Sequence, residues 1–172
     1  MGWAEVSPIL NERSLDFISH SEAQTRRLGA RLGELLQGGD VLCLAGELGT
    51  GKTRLVQGIG QGLGIEGPIT SPSFTLINEY KQEHARLPLY HVDLYRVEEA
   101  KETLSLGLEE YFYGEGVCVV EWADRAPDAL PAEYLWIELR HLEETKRSLL
   151  MKAVGQRYEK LLQEFRRRAF GI

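Results

Sequence analysis

Cysteine is scarce: Cys43 and Cys118 are the only two in 172 residues, and each sits in an apolar run, VLCLAG and GVCVVEW. That excludes a disulfide framework and predicts buried strand thiols in a reduced compartment. No apolar run reaches the roughly 18 residues of a membrane span. The opening stretch MGWAEVSPILNERS lacks a Lys-led segment followed by an apolar one, so no secretory signal is expected. Met1-Gly2 begins the chain, but Val6 stands where a myristoylation signal wants Ser or Thr. Positive charge is also short, with 20 Lys and Arg against 26 Asp and Glu and a net charge of -6. Such a balance does not provide the basic patch with which a protein holds nucleic acid alone. Repeats, low-complexity tracts and a Pro- or Ser-rich linker are absent. These exclusions leave a cytoplasmic protein without membrane attachment, folded as a single domain over residues 1–172.

Hydrophobic residues at 43% and charged residues at 27% match an ordinary globular domain. A chain of this length buries roughly 70% of its unfolded surface and needs no staple. Ser19 or Ser21 caps a helix from about Ser21 to Gln37, with Glu22 or Gln24 at the capping-box position. Ala23, Leu28, Leu32 and Leu35 or Leu36 share one side of it, and Gly38-Gly39 stops it. Val41 to Ala45 is a continuous apolar run, the pattern of a strand buried on both faces. A glycine-rich loop follows, then a helix from Lys52 to Leu63. Phe74 to Tyr80 and Leu87 to Leu94 read as strands, a possible hairpin through Lys81 to His84. Glu98 to Tyr113 reads as helical with an interruption at Gly107, and Val117 to Val120 as another buried strand. Tyr134 to Arg140 and Ser148 to Val154 read as strands, and Gln156 to Phe170 as a final amphipathic helix. Buried strands interleaved with helices predict an α/β fold, P-loop NTPase-like, with a mostly parallel sheet flanked by helices and some antiparallel strands.

Gly46-Glu47-Leu48-Gly49-Thr50-Gly51-Lys52-Thr53 matches the P-loop pattern G-x-x-x-x-G-K-S/T. The glycines let the backbone wrap so that successive amides point at phosphate oxygens. The helix that follows adds its N-terminal donors and the positive end of its dipole. Lys52 is expected to reach the β- and γ-phosphates, and the Thr53 hydroxyl to ligate Mg2+. A chance match is expected in well under about 1% of chains this long, and here the motif follows a strand and opens a helix. The chain is therefore read as binding a nucleoside triphosphate.

Hydrolysis needs a second acid on the magnesium side and a group that positions water. Glu121 ends Val117-Cys118-Val119-Val120, the apolar-then-acid pattern of a Walker B strand; the alternative is a solvated carboxylate at a sheet edge. Asp93 lies in Tyr90-His91-Val92-Asp93-Leu94-Tyr95-Arg96, where alternation puts His91, Asp93 and Tyr95 on one face. It either holds a magnesium-bound water or orients the nucleophile, the alternative being an ion pair with Arg96. His91 reads as a packing or hydrogen-bonding residue, since no second His or Cys has metal-ligand spacing. The loop Thr70-Ser71-Pro72-Ser73-Phe74-Thr75 offers four hydroxyls of the kind that sense a γ-phosphate in P-loop switches.

Gly46 to Thr53, Ser71 to Leu76, His91 to Arg96 and Val120-Glu121-Trp122-Ala123, in this order, resemble the TsaE (YjeE) family. These are bacterial ATPases required for making threonylcarbamoyladenosine in tRNA. The resemblance runs from about Ser19 to Arg147, and its H-x-D-L-Y-R and V-E-W-A segments are more specific than the P-loop. It implies that Lys52 and the amides of residues 47–51 bind the phosphates of ATP, and that Thr53 and Glu121 bind Mg2+. Asp93 would serve hydrolysis. Trp122 would be a functional aromatic beside the magnesium acid, although large aromatics also pack in cores. Glu22 and Arg147 match positions used near the nucleotide. Ser71, Ser73 and Thr75 would form the switch, with Ser73 where the family usually has Thr; Thr50 replaces a common Ala.

The resemblance also implies an accessory role beside a TsaB–TsaD pair, with tRNA met through those partners. ATP binding orders the Ser71–Thr75 loop in this picture, and hydrolysis releases it. A small-molecule or nucleoside P-loop kinase is the chief rival, though no Arg-rich lid is evident. No N-K-x-D segment points to guanine, and a nucleotide-gated adaptor without turnover is a further class. The C-terminal Arg166-Arg167-Arg168 run reads either as a dipole complement on a solvated helix end or as a tRNA contact.

Overall fold

A computed structural model of the chain describes residues 9–47, 49–72, 76–95 and 107–172. Expectations for Leu48, Ser73, Phe74, Thr75 and Arg96, and for the part of the helix between Glu98 and Gly107, lie outside the described residues.

Among the described residues eight strands form one sheet: β1 (Ile9–Asn11), β2 (Ser14–Ser19), β3 (Val41–Ala45), β4 (Ile77–Tyr80), β5 (Leu89–Asp93), β6 (Val117–Glu121), β7 (Tyr134–His141) and β8 (Arg147–Val154). Their order is β1-β2-β8-β7-β3-β6-β5-β4. The four central strands, β7, β3, β6 and β5, are mutually parallel. On both flanks the pairing is antiparallel, β4 on one side and β8, β2 and β1 on the other. The fold is thus the expected α/β arrangement, parallel at its centre. All five residues of β3 and of β6 are buried, as their continuous apolar runs require. In β7 only Leu135, Ile137 and Leu139 are buried, the alternation of a strand with one wet face.

Alternate residues of the central strands feed two cores. Leu42, Leu44, Val117 and Val119 join the larger one, beneath helices α1 (Glu22–Leu35), α2 (Lys52–Leu63) and α4 (Gln156–Phe170). Val41, Cys43, Cys118 and Val120 face the other way, toward the short helix α3 (Leu108–Phe112). Both thiols are free and buried, and burial pushes both well above the ordinary thiol range. The helix boundaries follow local chemistry. Ser21 caps α1 by accepting from the Gln24 amide at 3.0 Å, while the Gln24 side chain accepts from His20 N at 2.6 Å. Gly64, left-handed at φ 85°, ends α2.

α1 and α2 lie unusually close. A Cβ added to Gly29 would meet Leu55 O at 2.5 Å, and one on Gly58 would meet Arg26 O at 2.1 Å. Gly33 and Gly62 repeat the pattern one turn on, so glycines four apart on each helix let backbone touch backbone.

Two expectations need correction, and one hairpin was missed. Ala23 is exposed rather than part of the apolar side of α1, whose buried residues are Thr25, Leu28, Gly29, Leu32 and Gly33. Glycine rather than a larger apolar residue fills the middle of that face, because the neighbouring helix is too near for a side chain. Of the strand expected from Phe74 to Tyr80, Leu76 lies outside it, and β4 runs over Ile77–Tyr80. And β1 and β2, which form a hairpin and extend the sheet beyond β8, were not anticipated. Arg166 reaches back to this hairpin, donating to Asn11 O at 3.3 Å, while Arg167 pairs with Glu164 on its own helix.

Candidate functional site

The loop between β3 and α2 stands at the carboxyl ends of the parallel strands, where β5 and β6 also deliver Asp93 and Glu121. Gly46 has φ 139°, and a Cβ there would strike Leu139 O at 2.4 Å, so only glycine turns the chain at this point. Gly51, at φ 98°, is the left-handed residue that launches α2. Thr50 is buried, and its hydroxyl donates to Glu47 O at 2.8 Å, closing the loop on itself.

Lys52 opens α2 with its side chain folded back over the loop and 5% exposed. Its ammonium donates to Gly46 O and to Glu47 O, the latter at 3.0 Å, and lies 4.0 Å from the centre of the Trp122 ring. Burial lowers the Lys52 pKa from its ordinary value, opposed by the charges of Glu121, Asp124 and Asp93. The cation therefore sits amid acids, carbonyls and an aromatic face.

Arg147, the first residue of β8, holds the loop from behind. Its guanidinium donates to Thr50 O at 3.1 Å and Gly49 O at 3.3 Å. It also donates to the carbonyls of Glu143, Glu144 and Lys146 at 2.9–3.0 Å. In a trans peptide the N–H points opposite the C=O. Pulling the carbonyls of residues 49 and 50 toward Arg147 thus turns the amides of Thr50 and Gly51 the other way. The structure gives Arg147 contacts with the loop's carbonyls rather than a place on the cleft wall.

Parallel register pairs His91 with Val119 and Asp93 with Glu121, so all four project on one side of the sheet. Glu121 is 3% exposed on an interior strand, which removes the alternative of a solvated edge carboxylate. Its Oε2 lies 2.5 Å from Nε2 of the fully buried His91. Asp93 Oδ1 accepts from Tyr95 N at 2.9 Å. Burial raises the Asp93 pKa; the Tyr95 amide lowers it, Glu121 raises it, and His91 and Lys52 lower it.

Trp122 follows Glu121 in the left-handed region at φ 58°, a strained conformation for a bulky residue. It is half-buried, with the Tyr95 ring 4.8 Å away and the Arg125 guanidinium 5.6 Å from its centre. Thr53 Oγ1 lies 3.4 Å from Ser71 Oγ, and Glu22 pairs with Arg54 at 3.3 Å.

A cleft of about 410 Å³ brings together Glu22, Gly49 to Thr53, Ser71, Asp93, Glu121 and Trp122. Gly46 and Glu47 line an adjoining cleft of about 470 Å³ with Trp136 and Asp124, and Thr50 and Trp122 belong to both. Leu48, Ser73 and Thr75 lie outside the described residues. The Thr53 hydroxyl and the Glu121 carboxylate are hard oxygen donors, the chemistry that fits Mg2+ shared with phosphate oxygens. Among the described residues no group of three or more His, Cys, Asp or Glu forms a metal cluster. Likewise, no helix there is long and apolar enough to cross a membrane. Sequence reasoning did not find the His91–Glu121 bond, the Tyr95–Trp122 contact or the Arg147 carbonyl contacts. Alternation along β5 put His91 and Asp93 on one face, but the identity of their neighbour depends on which strand pairs with it.

Comparison with known proteins follows the same line. The family model described as threonylcarbamoyl adenosine biosynthesis protein TsaE matches residues 19–149. The tRNA threonylcarbamoyladenosine biosynthesis protein TsaE of Bacillus subtilis (strain 168) is 44% identical over 144 residues, 84% of this chain and 89% of its own length. The protein of the same name from a Nostoc species is 48% identical over 135 residues, 76% of this chain and 80% of its own. The crystal structure of YdiB from Bacillus subtilis superposes with a TM-score of 0.77 at 39% identity. That match covers 91% of this chain and 97% of YdiB.

Proposed function

The chain belongs to the TsaE family of threonylcarbamoyl adenosine biosynthesis proteins, and from that premise we propose that it is a Mg2+-dependent ATPase supporting tRNA threonylcarbamoyladenosine formation beside a TsaB–TsaD complex. It acts as a single cytoplasmic P-loop domain and meets tRNA through those partners. The observation that carries this reading is the convergence of the Lys52 ammonium, the Thr53 hydroxyl, the buried Glu121 carboxylate and the partly buried Asp93 carboxylate on one cleft.

In this reading the amides of residues 46–53 receive the phosphates, and Lys52 exchanges its carbonyl partners for the β- and γ-phosphate oxygens. Thr53 and Glu121 would hold Mg2+, which neutralises charge developing on the transferred phosphoryl group. Asp93 orients the attacking water; burial favours its protonated form, so it accepts a proton more readily than an exposed aspartate. Glu22 lies at the mouth of the cleft, toward the remainder of the nucleotide. Ser71, beside Thr53, begins the Ser71, Ser73 and Thr75 switch, and Trp122 reports the state of the site to the partner complex. Arg147 serves the nucleotide through the loop it holds.

Purified protein with ATP and Mg2+ should release free phosphate slowly, without any acceptor, and faster when a TsaB–TsaD complex is added. Glu121→Ala should lose most of that turnover; undiminished release would overturn the metal role. Phosphate appearing only on an added nucleoside would favour the rival kinase reading.

A further inference from the structure

We infer that His91 is a positioning residue that clamps one oxygen of the Glu121 carboxylate and leaves the other to face the cation. This inference rests on the Mg2+–nucleotide reading above. His91 is 0% exposed, and its Nε2 lies 2.5 Å from Glu121 Oε2. Its other nitrogen, Nδ1, is buried and has no hydrogen-bond partner among the described residues. A proton on Nδ1 would be a buried donor with nothing to receive it, a costly arrangement. Nε2 is therefore the nitrogen that donates, and Glu121 Oε2 receives it.

Register explains why the clamp reaches. His91 pairs with Val119, one pleat below the Asp93–Glu121 pair and on the same face. The imidazole thus stands directly under the glutamate side chain, between the large core and the cleft. The ring is fully buried, and turning it away would cost Nε2 its acceptor.

The clamp also answers a competition inside the site. Lys52 is close enough to Glu121 for their charges to interact. A glutamate free to swing would collapse onto that ammonium, removing both groups from the phosphate and the cation. As it stands, the Lys52 ammonium is taken by the carbonyls of Gly46 and Glu47, and Glu121 Oε2 is taken by His91. Residues that orient a metal ligand from behind typically change metal affinity by about 10–100-fold when removed.

The test is calorimetric binding of ADP with and without Mg2+ to the full chain, its His91→Gln variant and its His91→Leu variant. The readout is the ratio of the two dissociation constants. His91→Leu should reduce the ratio about tenfold or more, while ADP affinity without Mg2+ stays at the wild-type level. His91→Gln should keep most of the ratio, since the glutamine amide nitrogen can occupy the position of Nε2. Thermal melts of both variants check that the core remains folded. A wild-type ratio in His91→Leu would overturn the inference, as would His91→Gln falling as far as His91→Leu. An equal loss of affinity with and without Mg2+ would mark a general structural role and overturn it too. A wild-type protein whose ADP affinity ignores Mg2+ would instead overturn the metal reading on which this one stands.

Discussion

Replacing Gly58 with alanine inverts an ordinary rule. In an exposed helix interior, alanine is favoured over glycine by about 1 kcal/mol. At Gly58 the added Cβ would lie 2.1 Å from Arg26 O and 2.9 Å from Arg26 C, both backbone atoms of α1. Restoring an ordinary 3.4 Å contact requires the two helices to part by about 1.3 Å. A gap wider than about 1 Å forfeits roughly half or more of the dispersion attraction along the seam. Backbone cannot rotate aside as a side-chain end can, so the strain belongs at the upper end for overpacking, about 3 kcal/mol. Set against the propensity gain, the net loss is about 2 kcal/mol. For a chain of this size that lowers the midpoint of thermal unfolding by about 4–8 °C. Chemical denaturation of the wild type, Gly58→Ala and Gly60→Ala measures it. Gly60 is the internal control, because its added Cβ would strike only Cδ1 of the Ile69 side chain at 2.1 Å. Gly60→Ala should lose less than Gly58→Ala. A Gly58→Ala protein as stable as the wild type, or more so, would refute the claim that backbone contact sets the helix spacing.

Arg147→Lys keeps the charge but replaces a planar fork by a single ammonium, which cannot hold the carbonyls of Gly49 and Thr50 together with those of the β7–β8 turn. Nucleotide affinity should fall about tenfold, the equivalent of one charged hydrogen bond at roughly 1.5 kcal/mol; unchanged affinity in a binding titration would show that the loop needs no such support. Tyr158 concerns stability at high pH. Burial raises its pKa to about 12, with the Val41 amide, which donates to its oxygen at 2.8 Å, pulling the other way. Below the unfolded value near 10, both states keep the proton and the contribution is complete. Between about 10 and 12 the unfolded chain ionises first, so stability falls as pH rises, by at most about 3 kcal/mol from this residue. Urea midpoints from pH 8 to 12 should therefore decline less steeply in Tyr158→Phe than in the wild type. At neutral pH that variant should be less stable by about 1–3 kcal/mol, because the Val41 amide loses its acceptor. Equal slopes would show that Tyr158 ionises freely in the folded protein.

What the sequence made legible was whatever a short stretch decides by itself. The limits of α2 depend on Gly51 before Lys52 and Gly64 after Leu63, so the helix was bounded correctly. β3 and β6 are buried on both faces and carry unbroken apolar runs, which is why the strand, the loop and the acid at the end of β6 could be found without coordinates. Legibility failed where the deciding partner is distant in sequence. The His91–Glu121 bond exists because β5 lies beside β6 in a particular register, and nothing within either strand encodes that register. Arg147 touches the loop between β3 and α2 only because β7 and β8 form a hairpin reaching up beside it. β2 did carry a signal, Leu15 and Phe17 alternating with polar neighbours, but six residues with two buried apolar side chains are weak against the helix that follows. The glycines differ again. Gly29 and Gly33 on one predicted helix, Gly58 and Gly62 on the next, were visible at a spacing of four, which puts each pair on one helical face. Glycine lowers helix propensity and so argues against both helices when each is taken alone. Only as a matched pair do the two faces make sense, since the missing side chains are what let the helix bearing Lys52 and Thr53 pack against its neighbour at backbone distance. The same residues that weaken each helix in isolation thus set where the loop's lysine stands relative to Glu121.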